Sequence, residues 1–250
     1  MAQLTWSSWR ASRSSKPLVS DLYVQYGCGV CAPEGWLNFD ASPRLWLERM
    51  PALRTVLHWT VGLLFPPNVH WGNIVRGLPV PDGSVSAVYC SHVLEHLPRD
   101  DLPAALKNTL RILKPGGVFR FVVPDLYWRA VLYVASAQKT HPSAADQLMS
   151  DCGLGKRTKP RTMLAIGKDY YGTTAHLWMY DFTALEALLK EAGFTAIRRC
   201  ELGDAKDSMF AGVEDRDRFI EGDQCELAIE AMKPTQPVPG DRKLPVAELN

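Results

Sequence analysis

The chain has 250 residues, 46% of them apolar and 22% charged, which is enough to build one hydrophobic core and argues against wholesale disorder. Its 28 Lys and Arg balance 27 Asp and Glu, so no global field holds a polyanion, and nucleic acid is not expected as a primary partner. Six dispersed cysteines, no apolar secretory core in residues 1–20 and no run long enough to span a bilayer imply a cytoplasmic protein with reduced thiols and no transmembrane segment.

Residues 1–20 are polar and non-periodic and read as a flexible arm, whose Trp6 and Trp9 could dock on the body or on a partner. The folded domain is expected over residues 21–232. LYVQY at 22–26 is a β-favouring run that ends at Gly27, and residues 36–39 form a second strand that stops at Asp40. Ser42 and Pro43 supply the N-cap and N1 of a helix predicted to reach Phe65. It could cover the sheet or, with Arg44, Arg49 and Arg54, lie on a membrane surface. PVPDGS at 79–84 is turn chemistry, and a strand follows at 85–90.

Asp100 or Asp101 can cap the next helix, which places Leu102, Leu106, Leu110 and Leu113 on one face before Lys114, Pro115, Gly116 and Gly117 end it. Residues 119–123 are a buried strand. Residues 135–169 carry Lys156, Arg157, Lys159, Arg161 and Lys168 and read as an insertion or lid. Asp181 opens an amphipathic helix stopped by Gly193, strands follow at 195–199 and 225–231, and the Pro-rich residues 233–250 read as a flexible tail.

Strands alternating with helices predict an α/β fold with a mostly parallel sheet and helices on both faces, whose ligands bind beyond the carboxyl ends of the strands. The first such end is Gly27-Cys28-Gly29, where missing Cβ atoms let the backbone approach a ligand. A dinucleotide fingerprint would need a third glycine and a helix to seat the pyrophosphate, and neither follows here. An NAD-dependent oxidoreductase is therefore disfavoured. Asp40 could accept bonds from both ribose hydroxyls or simply cap the next helix, and Asn73 could bond an adenine edge or serve as a turn residue. Cys28 and Cys31 form a CxxC with no second pair to complete a zinc site, so no metal is expected.

VQYGCGVCAPEGWLNFDASP, GLPVPDGSVSAVYCSHVLEHL and LRILKPGGVFRFVVPDL follow one another across residues 22–126. In order and spacing they resemble the motifs of class I S-adenosylmethionine-dependent methyltransferases, in the methyltransferase-domain-11-like branch. HLWMYD at 176–181 resembles a segment found after that core. The resemblance implies a Rossmann-like seven-stranded sheet ending in an antiparallel strand, with S-adenosyl-L-methionine as cofactor over Gly27, Cys28 and Gly29. It also implies Asp40 at the ribose, Asn73 near the adenine, and Ser91 and His92 facing the methionine part and the methyl group. The path from Gly29 to Asp40 is shorter than in the class pattern, where a full helix intervenes.

Methyl transfer from a sulfonium is an in-line displacement, and a hydroxyl acceptor also needs a base within hydrogen-bond reach. Fold logic places His92, His96, Asp125 and His176 near the methyl group. Asp125 could equally be a turn and helix cap, and Glu95 could simply favour a helix dipole. Tyr170, Tyr171, Trp178 and Tyr180 could stabilise a sulfonium, stack on an acceptor or serve as packing. The basic insertion could hold an anionic acceptor, such as a phosphorylated sugar or acidic glycan, or be a solvated loop. The expected function is methyl transfer to a small-molecule or glycan acceptor, on oxygen. The alternative is a catalytically inert scaffold that serves a partner enzyme.

Overall fold

The central β-favouring runs have two buried faces, and the sheet forms because both find cover. In β4 (Val85–Ser91), Val88 and Cys90 enter one apolar cluster while Ala87 and Tyr89 enter another. The other strands are β1 (Tyr23–Tyr26), β2 (Trp36–Asp40), β3 (Val69–Trp71), β5 (Leu113–Val123), β6 (Thr195–Arg199) and β7 (Leu227–Met232). They form a seven-stranded sheet in the order β3-β2-β1-β4-β5-β7-β6. β1 to β5 run parallel, and β7 is antiparallel to both β5 and β6. This Rossmann-like α/β sheet is the one the sequence implied. The computed structural model describes residues 21–50, 64–155, 175–221 and 224–235.

The helices are α1 (Pro43–Glu48), α2 (Leu102–Ile112), α3 (Leu126–Gln138), α4 (Ala144–Asp151), α5 (Phe182–Ala192) and α6 (Arg216–Phe219). Leu102 and Leu106 of α2 and Leu185 and Leu189 of α5 pack with Val24, Val88, Phe119 and Phe121 on one face. On the other face, Phe210 from a 3₁₀ turn (Ser208–Gly212) meets Trp36 and Tyr89. Among the described residues no helix is long and apolar enough to cross a membrane.

Local chemistry fixes several boundaries. The Ser42 hydroxyl accepts from the Arg44 amide at 3.3 Å ahead of Pro43. Asp181 Oδ1 accepts from the Ala184 amide at 2.8 Å, and Gly193 closes α5 at φ 102°. Other boundaries differ from expectation. Phe65 is not helical, since Pro66 and Pro67 follow it, and its amide donates to Glu48 Oε2 at 2.7 Å instead.

Asp101 stands at the N-cap of α2 in a helical conformation and makes no side-chain capping bond. Leu113 belongs to β5, and residues 114–117 loop out within that strand, where the register steps from Val85 opposite Leu113 to Ala87 opposite Val118. Residues 135–138 are the last turn of α3. Cys225 belongs to a short antiparallel ribbon with Ile220 ahead of β7. The N-terminal arm, residues 51–63, the basic cluster of residues 156–168, Tyr170, Tyr171 and the tail beyond residue 235 lie outside the described residues.

Candidate active site

The loop after β1 is stitched to the end of β2. The Cys28 amide donates to the Phe39 carbonyl at 3.1 Å, and the Gly29 amide donates to Asp40 Oδ2 at 2.9 Å. The other carboxylate oxygen accepts from the Ser42 amide at 2.8 Å. Eleven residues therefore close a short loop without a helix. Gly27 (φ 63°) cannot carry a side chain, because a Cβ would lie 2.2 Å from Val93 Cγ2. Gly29 (φ 54°) has open space where its Cβ would point, so its backbone is bare toward the crevice.

Asp40 spends one lone pair of each oxygen on these amides, and a carboxylate has about four acceptor positions, so capacity for a diol remains. Asn73 follows β3, and its Oδ1 accepts from the Val75 amide at 2.9 Å and the Arg76 amide at 3.4 Å. Its carbonyl thus forms a turn, and the amide NH₂ is what it can offer a ligand. Cys28 is buried against Leu45 and Val69, and burial pushes its thiol up, so it serves as a small apolar residue.

Ser91 ends β4 opposite Val122, and His92 follows in a left-handed conformation (φ 52°) that brings its ring to two partners. Nε2 lies 3.0 Å from the Arg218 carbonyl, an acceptor only, so Nε2 carries hydrogen. Nδ1 lies 3.3 Å from Glu95 Oε1. Burial acts to lower the His92 pKa, but the Glu95 carboxylate and the Arg218 carbonyl outweigh it and hold the pKa above its ordinary value. A ring that donates on one side and faces a carboxylate on the other holds its own proton and has no free lone pair for an acceptor hydroxyl.

His96 and His176 come together, with ring centroids 5.0 Å apart and an edge-to-face tilt. Each presents Nδ1 to a backbone carbonyl, His96 to Ala175 at 3.0 Å and His176 to Cys152 at 2.7 Å. Both Nε2 atoms keep their lone pairs. Burial, helped by the neighbouring histidines, pulls the His176 pKa down, so that ring is neutral at pH 7. Asp125 behaves differently. Its Oδ1 caps α3 through the Tyr127 amide at 2.9 Å and its Oδ2 lies 3.3 Å from Arg199 Nη1, the arrangement of a cap and ion pair.

A cleft of about 400 Å³ opens beyond the strand ends, lined by His92, Pro124, Arg129, His176, Arg218 and Glu226 among others. Arg129 and Glu226 form a buried fork at 2.8 and 3.0 Å, and the Asp125 amide also donates to Glu226 at 3.0 Å. Sequence reasoning missed both residues. The available signal was a lone Arg in the apolar helix LYWRAVLYV, four residues after Asp125.

A methyltransferase-domain family model matches residues 30–198. The chain belongs to that family. The matched segment is a methyltransferase domain, and the cofactor that the motifs imply is the sulfonium nucleoside S-adenosylmethionine. A "probable methyltransferase ltbC" from Aspergillus luteorubrus is 46% identical over 48 residues, a match spanning 19% of this chain and 17% of that protein. Among solved structures, an S-adenosylmethionine-dependent methyltransferase from Thermotoga maritima is 18% identical, with 85% of this chain and 81% of that one covered at a TM-score of 0.42. One from Archaeoglobus fulgidus is 16% identical, with 85% and 86% covered at a TM-score of 0.42.

The crevice fits such a nucleoside. Gly29 leaves open space beside the Asp40 carboxylate, and neither a phosphate-binding helix nor a third glycine stands there to hold a diphosphate.

Proposed function

We propose that the protein transfers a methyl group from S-adenosylmethionine to an oxygen of a small-molecule or glycan acceptor in the cytoplasm. The observation that carries this reading is that two polar features both follow the carboxyl ends of parallel strands. One lies at Gly29 and Asp40, and the other is the polar cleft lined by His176, Arg129 and Arg218. In this reading Asp40 accepts the ribose hydroxyls, the Asn73 amide approaches the adenine, and Ser91 and His92 flank the methionine part.

When bound, the cofactor supplies a methyl carbon on a sulfonium, and departure of that carbon leaves neutral S-adenosylhomocysteine. The acceptor hydroxyl is activated at the cluster of Glu95, His96 and His176, where two imidazole lone pairs are available. With the cofactor bound, the cluster would take the proton of the acceptor hydroxyl. The cleft lining sets Arg129 and Arg218 against Asp151, Asp217 and Glu226, with Arg129 already paired to Glu226, so an anionic acceptor such as a phosphorylated sugar would depend on the basic residues 156–168 rather than on this cleft.

Calorimetry tests the cofactor half. S-adenosylmethionine and S-adenosylhomocysteine should both bind, and Asp40→Asn, which keeps the shape but removes the charge, should weaken both at least about 10-fold. If neither binds the wild type, the reading fails. A catalytically inert scaffold is the second reading, favoured by the engagement of both Asp40 oxygens within the protein. Label transferred from the cofactor to any fraction of a cell extract excludes it.

A further inference from the structure

Glu95 is fully buried, and among the described residues neither of its carboxylate oxygens accepts a hydrogen bond. The 3.3 Å approach of His92 Nδ1 to one of them is a charge contact without hydrogen-bond geometry. His92 faces one oxygen as a partial counter-charge, and a buried carboxylate that still accepts no hydrogen bond keeps capacity for a further cation. A carboxylate oxygen of Glu95 and one ring nitrogen each from His96 and His176 lie within 4.8 Å of one another. Both histidines are already oriented as metal ligands are, with Nδ1–H donated to a backbone carbonyl and Nε2 left as the free donor.

The cluster is built from three parts of the chain. Glu95 and His96 sit in the 3₁₀ turn (Leu94–His96) after β4. His176 is held against them because the Leu177 and Trp178 amides both donate to the Glu95 carbonyl, at 2.7 and 3.1 Å. Gly153 makes room for the ring, since a Cβ there would lie 2.6 Å from His176 Nδ1.

We propose that Glu95, His96 and His176 form a binding site for a divalent first-row transition ion of the Zn²⁺ class. Two imidazoles and one carboxylate suit such an ion and do not suit Mg²⁺, which prefers oxygen ligands. On a tetrahedral ion with bonds of about 2.1 Å, ligand atoms sit roughly 3.4 Å apart. Each side chain therefore moves inward by less than about 1 Å, within the reach of a χ adjustment. The CxxC at Cys28 takes no part, and the expectation of no metal, drawn from cysteine spacing alone, did not extend to this cluster.

Three protein ligands leave a coordination position open, and His176 lines the cleft. Resting on the methyltransferase reading, this ion would receive an acceptor oxygen and lower its pKa, giving the cluster its means of activating a hydroxyl.

The test uses tag-free full-length protein, stripped with chelator and titrated with Zn²⁺ and with Co²⁺. One equivalent of each should bind, Co²⁺ with the visible absorption of a low-coordinate site, and a tenfold excess of Mg²⁺ should not compete. His176→Ala and Glu95→Gln should each bind Zn²⁺ at least about 100-fold more weakly, since loss of second-shell partners alone costs 10–100-fold. Circular dichroism should show these variants folded, and His176→Cys, which restores a soft donor, should regain Co²⁺ binding with an added sulfur charge-transfer band. Cys31→Ser should bind as the wild type does.

Failure of the folded wild type to bind either ion would overturn the proposal, as would undiminished binding by His176→Ala and Glu95→Gln, or loss of binding in Cys31→Ser. Binding of S-adenosylhomocysteine is measured on the same samples. A protein that binds the nucleoside but no Zn²⁺ loses only the metal site, and one that binds Zn²⁺ but no nucleoside loses only the methyltransferase reading.

Discussion

Two of the buried charge clusters at this sheet contrast, because one is closed by hydrogen bonds and the other is not. In the middle of β5, the fully buried Arg120 meets Glu214, Glu230 at 3.0 Å and Asp204 at 2.7 Å, and it donates to the Glu201 carbonyl at 2.6 Å. At the tip of β4, the equally buried Glu95 has no hydrogen-bond donor on either oxygen among the described residues. A charge that folding must retain for the fold alone is surrounded until its bonds are satisfied. A charge left open at a strand end, beside free lone pairs, is kept for something that binds there.

The largest effect should come from breaking the closed cluster. Arg120→Met leaves Glu214 buried without its cation and Glu230 with Arg198 alone, and should destabilise the protein by about 3–5 kcal/mol in urea unfolding. Adding Glu214→Gln should recover part of that loss, because the uncompensated charge is the main penalty. A cost below about 1 kcal/mol for Arg120→Met would show that the network is not needed for folding, and the contrast would collapse.

Glu95→Gln should behave in the opposite way. In metal-free protein it removes a carboxylate that accepts no hydrogen bond and gives up only the 3.3 Å contact with His92, so it should cost less than about 1 kcal/mol. Added Zn²⁺ should then raise the melting temperature of the wild type and leave that of Glu95→Gln unchanged. Equal shifts in the two proteins would place the stabilising ion elsewhere.

The same contrast explains what could be read from the chain in advance. Most of the sheet was legible because its strands are short β-favouring runs, and because Ser42, Asp181 and Gly193 sign helix ends within a few residues of the groups they bond, whereas the three-residue β3 (Val69–Trp71) is too short to carry such a signal and was not legible as a strand. The Gly29–Asp40 contact was legible for a related reason, since the two residues lie only eleven positions apart. The paired histidines could be named singly but not as a cluster. His96 meets the segment carrying His176 across 79 positions, and no local pattern reports such a contact. Arg129 and Glu226, 97 positions apart, were invisible for that reason. His92 shows a different gap, because its left-handed φ, which aims the ring at Arg218 and Glu95, leaves no mark on residue type.

The smallest effect sharpens the comparison at the rim of the closed cluster. Asp204 bonds Arg198 and Arg120, each at 2.7 Å. Its partial burial would raise its pKa, but these bonds overcome that and hold it at about 2, below the ordinary 3.8. A carboxyl whose folded pKa is depressed contributes stability that is fully present above its unfolded pKa and is lost as pH falls through the folded one. Asp204 is a third exposed, so solvent screening keeps that contribution to about 1 kcal/mol or less. Unfolding free energies of the wild type and Asp204→Asn should therefore differ modestly at neutral pH and converge between about pH 4 and pH 2. A difference that stays constant over that range would mean that Asp204 acts through shape, and that the closed cluster ends at Glu214 and Glu230.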